Sequence, residues 1–296
     1  MEDMWNRLEK INAELKASLL CVPPSRHCIN EKFIGKLCKK IEKNESINDD
    51  ISKVVLSPWQ RAYQMEFRYK KTKIFEPYLS VMEYGMFSTV VTDWVCAYLT
   101  LLPVVEASLR RWMELEPSLS LKSLHKFYYT FGKYTREHIG LYHDERDNLV
   151  KEYIKYLKFG FKMLYMGFEE YSKRNYNEIF NRNLTLHRLE GARRISESAS
   201  NVVRITLLLD VISELYLMMD AEDWWYNCVL AEPDKNVDFQ LRWHLYEKKA
   251  MLNSGHDDML IVQNFLRKKV SDQKKRDIIA QLKKEIKLNS GKKPKY

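Results

Sequence analysis

The run NVVRITLLLDVISELYLMM, Asn201 to Met219, constrains the fold more than any other stretch. Val203, Leu207, Leu208, Val211, Ile212, Leu215 and Met219 recur at steps of three and four, and no Gly or Pro interrupts them. That period makes a wide apolar face on one helix. Such a face needs other elements packed around it, so this helix is expected at the centre of a bundle.

The rest of the chain is read as helical too. Nine Gly and eight Pro in 296 residues are few, and sheets need turn residues that this sequence lacks. The fold class expected is all-α. Trp5, Leu8, Ile11, Leu15 and Leu19 line one face of a first helix, stopped by CVPPSRHCIN. Asn30 caps a second, Glu31 to Lys43, and a polar turn runs from Asn44 to Asp50. Ser57 and Pro58 supply a cap and a first helical residue for a third, reaching about Lys71. Arg68, Lys70, Lys71 and Lys73 near its end read first as solvated cations complementing the helix dipole. The other reading is a basic patch that grips RNA.

Phe87 to Glu116 is expected as one long core helix, kinked or restarted at Pro103. Helices follow at Leu121–Lys133, Arg146–Lys173, Phe239–Leu252, Met259–Leu266 and Asp277–Leu288. The stretch between Tyr134 and Asp147 holds His138 and His143, but H-x4-H fits no zinc spacing, so it reads as a solvated loop and no metal site is assigned. His125 reads as a packing or surface histidine.

Charge and cysteines narrow the partners. The net charge is +9. Twelve of the 49 basic and three of the 40 acidic residues fall in 267–296, which leaves 37 of each in residues 1–266. The whole excess therefore sits in the C-terminal tail, where it would add salt-sensitive affinity for RNA. The five cysteines are odd in number and scattered without a C-x2-C pair. They read as reduced thiols of a cytoplasmic protein. The longest apolar stretch, Tyr84 to Ala107, contains Asp93, Pro103 and Glu106. It reads as a buried helix, so no membrane partner is expected.

Polar residues crowd the segment ahead of the central helix, in N-R-N-L-T-L-H, Asn181 to His187. Taken alone, Arg182 bonding a nearby carboxylate such as Glu178 or Glu190, with His187 packing a helix end, accounts for the pair. The segment resembles a family, however. Arg182, Asn183 and His187 match the R-polar-x3-H motif of HEPN domains. Asn181, Leu186, Asn201 and the LLLD run ending at Asp210 are similar to a bacterial branch of HEPN-like proteins. Pro103, Glu106 and Arg110 resemble a P-x-x-E-x-x-x-R segment of an early core helix in that branch. Arg188 departs from it, since many members carry Gly there.

The resemblance implies a HEPN-like bundle over 85–230, with an N-terminal helical region over 1–84 and a C-terminal helical extension with a basic tail over 231–296. It implies RNA as substrate, a homodimer with a composite site, an antitoxin or partner protein, and a role in defence. Chemistry fits the motif. Imidazole exchanges a proton near neutral pH, and a guanidinium forks onto phosphate oxygens. Together they suit attack of a ribose 2′-hydroxyl on its own phosphate, with His187 as base or acid, Arg182 on the phosphorane charge, and Asn183 orienting one of them. Asn181, Glu106 and Arg110 are candidates for substrate binding or support of that site. The scheme calls for no metal and no cofactor. The same resemblance admits a module that binds nucleotide or a partner without cutting. A helical interaction protein with a coincidental motif is the remaining alternative.

Overall fold

In the computed structural model, residues 2–25, 27–112, 144–166, 180–181, 198–219, 232–252 and 271–289 are described. Among them are ten α-helices and no strand. They are α1 Glu2–Leu15, α2 Glu31–Glu42, α3 Asn48–Val55, α4 Pro58–Phe67 and α5 Leu79–Val90. The others are α6 Trp94–Trp112, α7 Asp144–Tyr165, α8 Ser200–Met219, α9 Val237–Leu252 and α10 Asp272–Asn289. The expected helices at Leu121–Lys133 and Met259–Leu266 lie outside the described residues.

Local chemistry sets several boundaries. Asn30 Oδ1 accepts from the Phe33 amide at 2.9 Å and opens α2. Ser57 Oγ accepts from the Gln60 amide at 3.2 Å, with Pro58 as the first residue of α4. Each cap satisfies a backbone donor that the first turn leaves unpaired. α1 buries Leu8, Ile11 and Leu15, and Leu19 follows after a short 3-10 turn, as the spacing of that face requires.

α8 is the enclosed helix. Residues 201–215 are all buried, charged ones included. It packs against α3, α6 and α7. Its polar residues face the segment from α4 to Thr72. Arg61 reaches Asp210 through two bonds, of 2.7 and 3.0 Å, and the Tyr69 hydroxyl donates to the same carboxylate. Thr72 and Ser213 share a hydroxyl bond of 2.6 Å, and Arg68 Nε donates to Glu214 at 2.8 Å. The faces of this helix over 201–215 are covered by its own chain.

The long helix expected over Phe87–Glu116 is two helices. Thr92 adopts a left-handed backbone, φ 62°, and the Asp93 amide closes α5 by donating to Ser88 O at 3.0 Å. Asp93 Oδ1 then accepts from the Cys96 amide at 3.0 Å and opens α6. The chain folds back, and α5 lies so close to α6 that a Cβ on Gly85 would sit 2.4 Å from Leu101 Cδ2. Pro103 stays inside α6 without ending it. The polar turn expected over Asn44–Asp50 is shorter, because α3 begins at Asn48 and Lys36 and Lys40 both pair with Asp50.

One buried cluster runs from Leu8 to Tyr246 and crosses both expected boundaries, 84/85 and 230/231. A second, small cluster of Leu241, Leu245, Ile279 and Leu282 joins α10 to α9. No described helix is long and apolar enough to cross a membrane.

Candidate functional site

Arg182, Asn183 and His187 lie outside the described residues, as do His125, His138 and His143. The residues on either side of the motif segment are described, and they meet. Asn181 is fully buried, and its amide donates to Met163 O at 3.1 Å and Met166 O at 2.8 Å. These are carbonyls at the end of α7, which a helix leaves without intrahelical donors. Phe180, also buried, lies 5.8 Å from the Arg204 guanidinium. Arg204 is in the first turns of α8, where it donates to Asn201 Oδ1 and to Ser18 O, each at 3.0 Å. Phe180 and Asn181 thus lie between the end of α7 and Arg204 in the first turns of α8.

Glu106 and Arg110 pair with each other on α6. Glu106 Oε1 accepts from Arg110 Nη2 at 3.1 Å and Nε at 3.2 Å, and both side chains are about four-fifths covered. Of the residues expected to bind substrate or support the site, Asn181 donates to the carbonyls at and just past the end of α7.

At the end of α4, the reading of four solvated cations is corrected at Arg68. Arg68 is buried against Glu214 and stacks on the Tyr63 ring at 5.2 Å. Lys70 bridges to Glu66 at 2.7 Å. Lys70, Lys71 and Lys73 are exposed, and Arg68 is withdrawn from them into the interior.

Sequence reasoning missed the buried ion pairs. At Arg61, burial works against the guanidinium charge, but Asp210 and Tyr69 outweigh it and raise its pKa. Burial and the neighbouring Asp210 push the Tyr69 hydroxyl well up, so it keeps its proton and donates. Arg242 on α9 is equally enclosed. It holds Glu83 at 3.1 Å and also Glu66, and Tyr246 donates to Glu83. Burial pushes the Glu66 carboxyl up, yet Arg242 and Lys70 prevail and hold it below the usual range. The Arg61–Asp210 pair has no solvent-facing side from which to act on a substrate, whereas Glu66 and Glu83 keep some exposure. For the partners of Arg61 and Arg68, the available signal is the acidic charge of Asp210 and Glu214 within a mostly apolar helix; nothing comparable marks Arg242.

A cavity of about 170 Å³ opens between α1, the turn after it and α7. Its floor includes Cys21, Tyr156 and Phe159. Lys155 closes part of its rim by pairing with Glu152 at 2.6 Å and Glu9 at 3.3 Å. Burial pushes the Cys21 thiol well up, which makes it a poor nucleophile. Among the described residues no group of three His, Cys, Asp or Glu could hold a metal ion.

Comparison with protein families, curated proteins and solved structures finds no match for this chain.

Proposed function

We propose that the chain is a metal-independent endoribonuclease of HEPN type, acting through Arg182, Asn183 and His187. The observation that supports this reading is the closure at the base of the motif segment. Phe180 and Asn181 are buried at its start, Asn201 and Arg204 at its return, and a ring and a guanidinium join the two ends. A reacting pair needs a rigid base, because small displacements of catalytic groups cost large factors in rate.

The reaction follows from the residue types. His187 takes the proton of a ribose 2′-hydroxyl, and the oxygen attacks the adjacent phosphorus. The bond to the 5′-oxygen breaks, and that oxygen takes a proton from an imidazolium. In the homodimer implied by the resemblance, the partner's copy of the motif supplies this second imidazole. The products are a 2′,3′-cyclic phosphate and a 5′-hydroxyl. Arg182 offsets the charge on the phosphorane, a stabilisation of about 3 kcal/mol by the scale of other oxyanion sites. Asn183 orients His187 or bonds a phosphate oxygen.

The test is cleavage of single-stranded RNA by purified protein in EDTA. The wild type cuts, and His187→Ala does not, while both give the same helical circular dichroism. Equal cleavage by both proteins assigns the activity to a contaminant and sinks the reading. The second reading, a module that binds nucleotide or a partner without cutting, is favoured by the Glu106–Arg110 pair, which already neutralises the arginine expected near the site. It requires intact RNA together with a co-purifying ligand or protein.

A further inference from the structure

α10 holds six basic and three acidic residues, so among the described residues it carries three of the nine excess charges of the chain. It is held to α9 in a specific way. Ile279 and Leu282 are buried against Leu241 and Leu245. Lys275 bridges to Asp238 at 2.5 Å, and Glu285 accepts from Lys248 at 2.6 Å. One of the helix's three acidic residues is thus turned to the body. Lys274, Arg276, Lys283 and Lys284 are exposed. At 3.6 residues per turn, Arg276, Lys283 and Lys284 fall within an arc of about 100° and span about 12 Å of helix. Asp277, also exposed, lies beside that arc and takes a bond from Gln273 at 3.0 Å.

We infer that this face of α10 is a docking surface for the phosphate backbone of single-stranded RNA. Charge complementarity names the partner. Three cations on a rigid helix face are arranged along a line, and a nucleic-acid strand offers a line of anions. A membrane surface fits less well. A helix that lies in a bilayer needs a broad free apolar side, and here Ile279 and Leu282 are spent on α9, which leaves Leu288 as its one exposed large apolar side chain. The choice of RNA over DNA rests on the proposed reaction; the affinity for phosphate does not.

The surface is tested on the full chain with a fluorescent 2′-O-methyl RNA oligonucleotide, which lacks the attacking hydroxyl and is not consumed. Binding is measured by anisotropy from 50 to 200 mM salt for three proteins. One is wild type, one carries Arg276→Gln, Lys283→Gln and Lys284→Gln, and one carries Lys32→Gln, Lys39→Gln and Lys43→Gln. The last set removes the same charge from exposed positions of α2. Each phosphate contact to a single strand adds about 0.7 to the salt slope, so three contacts add about 2. The wild type then loses about twenty-fold more affinity across that salt range than the α10 variant does. The α2 variant follows the wild type. Equal slopes for both variants overturn the proposal, because net charge would then account for the binding. Loss of binding to phosphatidylserine vesicles in the α10 variant, with its RNA slope unchanged, overturns it in favour of a membrane. Absence of cleavage by the wild type together with an intact slope difference counts against the catalytic reading alone.

Discussion

Asp210→Asn isolates what the buried ion pair contributes. Arg61 and Asp210 are both fully enclosed, and the carboxylate takes bonds of 2.7 and 3.0 Å from the guanidinium and another from Tyr69. The substitution keeps the shape and removes the charge. It also places an amide N–H where a guanidinium N–H already points. A guanidinium left uncompensated in the interior costs about 3–5 kcal/mol. The expected readout is an unfolding free energy, extrapolated linearly from urea, lowered by that amount, and a Tm lower by roughly 10 °C. Two further proteins give the scale. Replacing the whole set, Arg61→Met with Asp210→Leu and Tyr69→Phe, leaves no orphaned polar group and returns stability to near the wild type. Lys155→Ala, which breaks a pair whose lysine is 64% exposed, changes it by less than about 1 kcal/mol. If Asp210→Asn stays within about 1 kcal/mol of the wild type, the carboxylate is not what makes the buried arginine tolerable, and the reasoning fails.

Gly85→Ala drives a methyl against Leu101 Cγ and Cδ2 and lowers stability by about 1–3 kcal/mol in the same urea assay. Asn181→Ala strips donors from Met163 O and Met166 O. It costs about 1–3 kcal/mol and raises amide exchange at the end of α7. Burial pushes the Cys28 thiol up to about 12, against a hydrogen bond with Ser25 that lowers it. At pH 8 about one thiol in ten thousand is then ionised, so iodoacetamide labels Cys38 and spares Cys28 until urea unfolds the chain. A raised pKa means that the folded state holds its proton more tightly. Stability from Cys28 is therefore complete below about pH 9 and declines as pH rises toward 12, a trend that urea midpoints at pH 7 to 11 measure.

Elements governed by local chemistry were legible in the sequence. The Asn30 and Ser57 caps open helices where the residue types require them, and the central helix is the most enclosed among the described residues. The break at Thr92 was missed because an apolar run over 84–107 suggested continuity. Asp93, a capping residue three positions before Cys96, was the available signal. Burial of Arg61, Arg68 and Arg242 was not legible. Spacing rules place charged residues at the surface, where lone charges are cheapest to hold. The partners that make burial possible lie far along the chain, as Asp210 does from Arg61. Of the candidate site, the sequence supplied the motif and the Glu106–Arg110 spacing. The joining of Phe180 to Arg204 depends on how α7 and α8 pack, which no local pattern encodes.

The most direct measurement is the chemistry of the cut end. A single-stranded RNA is incubated with the protein in EDTA, beside the same RNA carrying one 2′-deoxy sugar at the main cleavage position. The account predicts 2′,3′-cyclic phosphate and 5′-hydroxyl ends on the first RNA and no cut at the altered position of the second. Cleavage at the 2′-deoxy position, or products ending in 5′-phosphate, would contradict it.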